Sequence, residues 1–482
     1  MPKVHTSKPG YYGEGSVDIS SSLQGESPIR RCAISKDKLV TQPFEGIDTV
    51  ADIISYSART HGNRKALGWR DTLRVIEEEK EVTKVVDGKE VTQKKLWKYF
   101  ELSDYKYLSY IELKEAISEV SRGLIDLGIT KDDVFNVYAQ TRYVTPWSVV
   151  TFIDSIYHTS LNWQLLALSC AFISTPIATA YDTLGEEGLT HSLNEPESVG
   201  IFTNAELLPT LLKVLPNTPS VKYVIYDGEA SQTILDSIRS LRAIQVINIS
   251  ELRETGKTKS VDVLQSRLPK KEDMALIMYT SGSTGAPKGV CITHANLIAS
   301  VGAVYILLGH HLTDKDTFLA YLPLAHVLEY IVELVMVFVG VPCGYGRIKT
   351  LTDASVRNCK GDISAFKPSI MVGVPAVWET IRKGIIAKIN SGGSIKKAVF
   401  NGAMYVKKNN IPILAQIADN LILSGVRAAT GGRLRIALSG GAAISRDTQE
   451  FLTTALVTII QGSVTHFLFV SLLTWKLNLS PS

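Results

Sequence analysis

Cysteine is scarce: five in 482 residues, at Cys32, Cys170, Cys291, Cys343 and Cys359, with no CxxC pair among them. The nine histidines show neither HxxxH nor HExxH spacing. These absences exclude a disulfide framework and a zinc site of ordinary spacing, and leave reduced thiols in a cytosol-facing protein. No charge of one sign prevails either. Lys and Arg number 51 against 47 Asp and Glu, a net of +4, which argues against a bulk nucleic-acid binder. No apolar run is long enough for a bilayer span: residues 331–343 are too few and carry Glu333, and residues 467–473 are fewer still. The first 30 residues are polar and rich in Gly and Ser, so no secretory leader is expected. Glycine (35) and proline (18) are ordinary, which excludes collagenous and disordered classes.

What is present is enough apolar chain, 45% of residues, for a large core without disulfides or metal. Residues 1–60 hold few apolar positions and read as an extended arm. Asp87–Gly88 between alternating segments predicts a hairpin, with strands at 81–86 and from 89 onward. Ser109 and Glu112 have capping-box spacing ahead of Leu113, Ala116, Val120, Leu124 and Leu127, which predicts a helix closed by Gly128. Beyond it, strand-like runs (134–140, 199–203, 223–226, 369–374, 434–438) alternate with helical ones (163–172, 205–214). That order predicts an α/β protein with largely parallel sheets.

The most informative stretch is residues 275–290, ALIMYTSGSTGAPKGV. An apolar strand, 275–279, runs into a loop of glycines and hydroxyls that ends at Lys288. Small residues let backbone N–H groups surround phosphate oxygens, hydroxyls donate to them, and the lysine adds a compact positive charge. The loop is not a Walker A motif, since GxxxxGK[ST] does not occur.

YTSGSTGAPKG resembles the signature of the AMP-forming acyl-adenylate ligase superfamily. More narrowly, YLPLAHVLEY (321–330), LRIALSGGAAIS (434–445), TPIATAYDTLGEEGLTHSLNE (175–195) and PSIMVGVPAVW (368–378) resemble fungal long-chain fatty-acid–CoA ligases. The resemblance implies the family's large N-terminal domain over residues 46–462. That domain has two mixed, largely parallel sheets flanked by helices, with a smaller β-rich part, and residues 1–45 precede it as an extended arm. It implies an enzyme that joins a fatty-acid carboxylate to AMP at the expense of ATP and then transfers the acyl group to CoA. By the same resemblance Thr280, Lys288 and His326 are catalytic. Thr280, Ser281, Gly282, Ser283, Thr284, Gly285 and Lys288 hold phosphates, and Gly440, Gly441 and Ala442 border the adenine. Thr284, and Thr280 as a second candidate, would contact Mg²⁺ or its waters. Tyr330 matches an aromatic gate in some bacterial relatives, with core packing as the other reading. Val332, Val335, Val372 and Val374 are tunnel candidates with the same alternative. Two other functions stay open: another acyl-adenylate-forming ligase for aryl or medium-chain acids, or a non-catalytic protein that binds ATP and acyl chains. The implied partners are a long-chain fatty acid, ATP and CoA. No nucleic acid is implied, and membrane contact would be peripheral, without a span. The implied location is the cytosolic face of the endoplasmic reticulum, a lipid droplet or a peroxisome.

Two departures from the family pattern are expected to matter. Residues 142–159, RYVTPWSVVTFIDSIYHT, interrupt a strand–helix turn where connections are normally about 2–6 residues. They read as a retained in-frame intron, with a membrane-touching loop as the alternative. After residue 462 the family continues with a Tyr-Gly-x-Thr-Glu motif, whereas this chain reads SVTHFLFVSLLTWKLNLSPS. That tail reads as non-family sequence, so the small C-terminal α+β domain is expected to be absent and the chain to be a truncated form with little ligase activity.

Overall fold

The computed structural model describes residues 16–86, 89–139, 159–181, 184–280, 287–409, 411–428 and 430–462. Apart from Thr159, the expected insertion lies outside these residues, as does the tail after 462.

Local chemistry starts the first helices. Thr49 and Asp52 form a reciprocal cap on α1 (Val50–His61), and Ser109 and Glu112 do the same for α2 (Tyr110–Asp126), as their spacing predicts. Gly128, with φ +88°, turns the chain away after α2. The first of these helices corrects the reading of residues 1–60 as an arm: Val50, Ile53, Ile54 and Ala58 recur at helical spacing and are buried. Before α1, Ser16–Asp18 and Arg30–Cys32 pair as a short antiparallel ladder, with an isolated bridge between Leu23 and Glu26.

Between α1 and α2 lie β1 (Lys65–Trp69), the long hairpin strands β2 (Thr72–Val86) and β3 (Lys89–Leu102), and β4 (Lys106–Ser109). Val86 faces Lys89 across the hairpin, which extends further than its alternating pattern predicts; Asp87 and Gly88 lie outside the described residues. There follow β5 (Phe135–Tyr138), α3 (Thr159–Phe172), β6 (Ile177–Ala180), β7 (Gly200–Asn204), β8 (Tyr223–Asp227), β9 (Gln245–Asn248) and α4 (Ile249–Lys257). Next come β10 (Met274–Thr280), β11 (Lys288–Thr293), α5 (His294–Leu308), β12 (Phe318–Ala320), α6 (Val327–Val339) and β13 (Cys343–Tyr345). The described chain ends with β14 (Ile370–Gly373), α7 (Pro375–Asn390), α8 (Gly393–Lys408), α9 (Leu423–Ala428), β15 (Ile436–Ser439) and β16 (Ile459–Gln461).

The strands form two seven-stranded mixed sheets, in the orders β9-β8-β7-β5-β6-β10-β11 and β16-β15-β14-β12-β13-β1-β4. Every pairing is parallel except β10–β11 in the first and β1–β4 in the second. The α/β expectation holds, and the antiparallel strands sit at sheet edges, where a parallel crossover is not needed. Helices α2 and α4 cross so closely that a Cβ on Gly256 would lie 1.8 Å from the Glu119 carbonyl oxygen. Trp163 on α3 and Trp378 on α7 are fully buried in the main core, which both sheets share.

One polar knot fixes the start of the strands that matter for the site. Asp316, buried just ahead of β12, accepts hydrogen bonds from Thr313 N (2.8 Å), Ser369 Oγ (2.6 Å) and Arg435 Nε (2.8 Å). Those partners stand at the entries to β12, β14 and β15. A carboxylate fully supplied with donors in this way ties the adjacent strands into one register. No helix among the described residues is long and apolar enough to cross a membrane.

Candidate functional site

In an open parallel sheet, ligands are received outside the carboxyl ends of the strands, where successive crossovers leave in opposite directions. The second sheet has such a point. From β12 the chain crosses to β13 on one side, and then returns to β14 on the other side of β12. At that edge β12 feeds residues 321–326, β14 ends at Gly373, and β15 feeds Gly440–Gly441–Ala442.

A cavity of about 1340 Å³ opens there. His326, Pro323, Tyr181 and Gly441 line it near the strand ends. Farther on its walls are apolar and come from α7, α8 and α9, among them Ile385, Ile389, Phe400 and Val426.

His326 is the N-cap of α6. Its Nδ1 accepts the Leu328 N–H at 3.2 Å, which assigns the ring proton to Nε2. Burial lowers its pKa, so the ring is neutral at pH 7 and serves as a hydrogen-bond donor. Three residues on, Glu329 also lines the cavity and is 1% exposed. The Leu322 and Tyr321 amides face its carboxyl, but neither oxygen is in full hydrogen-bond geometry with any described group. Glu333, one turn further, is equally buried and accepts the Tyr345 hydroxyl at 2.8 Å. Burial raises both carboxyls, and the mutual repulsion of two acids adds to the rise at Glu329.

Around Gly373 further polar atoms are left over. Tyr321 Oη, Trp378 Nε1 and Ser439 Oγ are buried without a hydrogen-bond partner among the described residues. A Cβ on Gly373 would meet Tyr321 Oη at 2.8 Å and Trp378 Nε1 at 2.9 Å, so only glycine leaves room at the end of β14. Unpaired buried donors and acceptors at a strand-end crevice mark a place where a polar ligand or water completes the bonding.

Of the residues singled out from sequence, His326 and Gly441 meet at this cavity. Gly440 is buried and donates its N–H to the Gly373 carbonyl at 3.0 Å, while Gly441 (φ +82°) and Ala442 are exposed. Lys288 begins β11 and is exposed; it stands opposite Thr280, the last residue of β10, in the antiparallel ladder. The phosphate-loop candidate is thus bounded by the facing ends of two antiparallel strands of the first sheet. Ser281, Gly282, Ser283, Thr284 and Gly285 lie outside the described residues. Of the tunnel candidates only Val374 lines the cavity. Val335 and Val372 are enclosed in the core and Val332 packs against it. Tyr330 is core as well, edge-on to Trp163 at 6.1 Å between ring centroids. Glu329 escaped the sequence reading, although an acid inside the apolar run VLEYIVELVMVFV was its available signal.

Comparison with known proteins bears on the family and the fold. The model of the family described as AMP-binding enzyme matches residues 155–463. Two long-chain-fatty-acid–CoA ligases of Schizosaccharomyces pombe, numbers 2 and 1, are 38% and 40% identical over 92% of this chain, and the match covers 62% and 63% of their own lengths. Long-chain-fatty-acid–CoA ligase 1 of Saccharomyces cerevisiae is 37% identical over 90% of this chain and 62% of its own. The chain therefore spans a little under two thirds of the curated relatives it matches. Among solved structures, the adenylation domain of a carboxylate reductase from Mycobacterium chelonae superposes with TM-score 0.59 at 18% identity, covering 89% of this chain and 60% of that one. A long-chain-fatty-acid-CoA ligase from Archaeoglobus fulgidus does so with TM-score 0.54 at 17% identity, covering 88% and 66%. At these identities the structural likeness speaks for the fold.

Proposed function

The chain belongs to the AMP-binding enzyme family, and from that premise we propose that it serves the activation of long-chain fatty acids to their CoA thioesters. The observation that carries this reading is the cavity. About 1340 Å³ in all, it joins a polar crevice at the strand ends to a largely apolar chamber and is larger than the roughly 300–1,000 Å³ of a typical small-ligand pocket. An acid with a long hydrocarbon tail fits that division; a compact aromatic acid would leave most of the chamber empty. The relatives named as long-chain ligases support the same substrate class.

In this reading the fatty-acid carboxylate oxygen attacks the α-phosphorus of ATP, the bond to the bridging oxygen breaks, and pyrophosphate leaves. The CoA sulfur then attacks the acyl carbonyl, its thiol proton is lost, and AMP departs. Charge neutralisation and positioning carry such steps, so the protein contributes donors rather than a nucleophile. Lys288 and the 280–285 loop would hold the β- and γ-phosphates. The neutral His326 would donate from Nε2 beside the reacting carboxylate. Gly440, Gly441 and Ala442 would border the adenine, where a backbone without bulk admits a flat ring. No three His, Cys, Asp or Glu side chains gather among the described residues, which suits Mg²⁺ held chiefly through nucleotide phosphates and the loop hydroxyls, Thr284 first. Bound in that way, Mg²⁺ would supply charge neutralisation of the phosphates. Peripheral contact with membranes belongs to the same reading, since the substrate partitions into lipid.

The test is ligand stabilisation of the 482-residue chain. A ligand at a hundred times its Kd stabilises the folded state by about 2.7 kcal/mol. Palmitate should raise the melting temperature, benzoate should not, and Lys288→Ala should weaken the ATP effect while sparing the palmitate one. An equal response to benzoate and palmitate, or none to either, would refute the proposal.

A further inference from the structure

The chain's charge is nearly balanced overall, but residues 380–418 hold seven basic residues, Arg382 and six lysines, and no acidic one. This segment contains most of α7 and all of α8. On α8 the apolar residues Ile395, Val399, Gly402 and Val406 recur at helical spacing on one side, with Tyr405 beside them, while Phe400 and Ala403 are the buried positions. Ile395 is 80% exposed and Tyr405 66%. The adjoining stretch 413–421 packs against α8 and adds Ile413 and Leu421, each 76% exposed. The stripe is exposed at Ile395, Val399, Gly402 and Tyr405, half-buried at Val406, and bordered by lysines; Val399 and Lys396 also line the cavity, so the stripe runs beside it. Lys407 and Lys408 are paired, with Asp419 (2.7 Å) and Glu450 (3.2 Å), whereas Lys396 and Lys397 make no ion pair among the described residues.

We infer that the outer face of α8, with residues 413–421, is a docking surface for an anionic lipid bilayer, entered by its apolar stripe and held by its lysines. A solvent-facing apolar stripe flanked by basic residues is the pattern of a helix that lies in a membrane interface. Lysine stems lie along apolar surface while their ammonium groups reach the headgroups. A protein partner fits less well, because protein interfaces are depleted in lysine. The position also has a use. The inner side of the same helices walls the cavity through Ile385, Ile389 and Phe400, so a docked molecule would hold its apolar chamber against the lipid. That use rests on the acyl-chamber reading above; the docking surface itself does not.

The experiment is co-sedimentation of the full chain with vesicles of phosphatidylcholine alone and of phosphatidylcholine with phosphatidylserine, at low and high salt. Binding should require phosphatidylserine and fall with salt. Lys397→Gln/Lys408→Gln should weaken it about 25-fold, taking a fivefold loss per lysine near an anionic surface. Ile395→Ser/Tyr405→Ser, at exposed positions, should abolish it with the melting temperature unchanged. No binding, equal binding to neutral vesicles, or variants that bind like the parent chain would overturn the inference. So would a dimer that the Ile395→Ser/Tyr405→Ser variant dissociates in the absence of vesicle binding, since the face would then belong to a second copy. Palmitate stabilisation, read on the same proteins without vesicles, separates the two proposals. Its absence from the parent chain counts against the acyl chamber and leaves the docking result standing, and both variants should retain it.

Discussion

Replacing Glu333 by Gln should stabilise the protein more at pH 7 than at pH 5. In the unfolded chain this carboxyl ionises near its ordinary 4.5, whereas burial on α6 raises it and keeps it protonated in the native state. Between those two values the native protein binds a proton that the unfolded chain has released. Stability is therefore full below pH 4.5 and is lost as pH rises toward the native value. Each pH unit in that window costs roughly 1 kcal/mol or a little over, so the step from pH 5 to pH 7 costs on the order of 3 kcal/mol for one carboxyl. Gln does not titrate, and its carbonyl oxygen can still accept the Tyr345 hydroxyl, now 2.8 Å from Glu333. Any constant cost of packing the amide cancels when the two pH values are compared. Glu329→Gln should shift stability in the same direction, since burial and the neighbouring acid raise that carboxyl too. Urea unfolding followed by tryptophan fluorescence reads this directly, because Trp163 packs against Tyr330 on α6. An advantage of Gln that stays constant from pH 5 to pH 7 would refute the reasoning, for it would mean that Glu333 is ionised in the folded protein.

Two other perturbations test the frame around the site. Asp316→Ala leaves the Arg435 guanidinium, Ser369 hydroxyl and Thr313 amide without their shared acceptor, and should cost about 3–5 kcal/mol in urea unfolding; a loss under about 1 kcal/mol would show that the knot does not hold the strands. His294 titrates in the opposite sense to the glutamates: burial pushes it down to about 4, and its Nδ1 accepts the Val50 N–H at 3.2 Å. Its contribution is full above pH 6.5 and is lost as pH falls toward 4, about 3 kcal/mol in all, so His294→Gln should melt with less acid sensitivity than the parent between pH 6.5 and 4.5, and parallel acid losses would refute this.

Much of the frame was legible because its causes are local. The Ser109–Glu112 box places the start of α2, and the short apolar runs at 369–374 and 434–438 become β14 and β15. The same local signal, Thr49 with Asp52 ahead of Val50, Ile53 and Ile54, was present for α1 but was masked by the polar composition of the surrounding 60 residues. What local pattern does not carry is which apolar residue faces a cavity. Val372 and Val374 are two apart, yet one is sealed in the sheet and the other lines the chamber, because β14 ends between them at Gly373. Glu329 was illegible for a related reason: a carboxyl becomes an orphan only once tertiary packing removes its water.

The cap on α6 carries a consequence for how the site can respond. The Nδ1 lone pair of His326 is committed to the first turn of a helix that also carries Glu329, one of the chamber's lining residues. Adding a proton there would remove the cap's acceptor and set a positive charge against the positive end of the helix dipole. The ring thus resists protonation for a mechanical reason as well as for lack of solvent. Acid that overcame that resistance would loosen the first turn of the wall before it altered any chemistry, so the histidine acts as a latch whose state the whole chamber would feel.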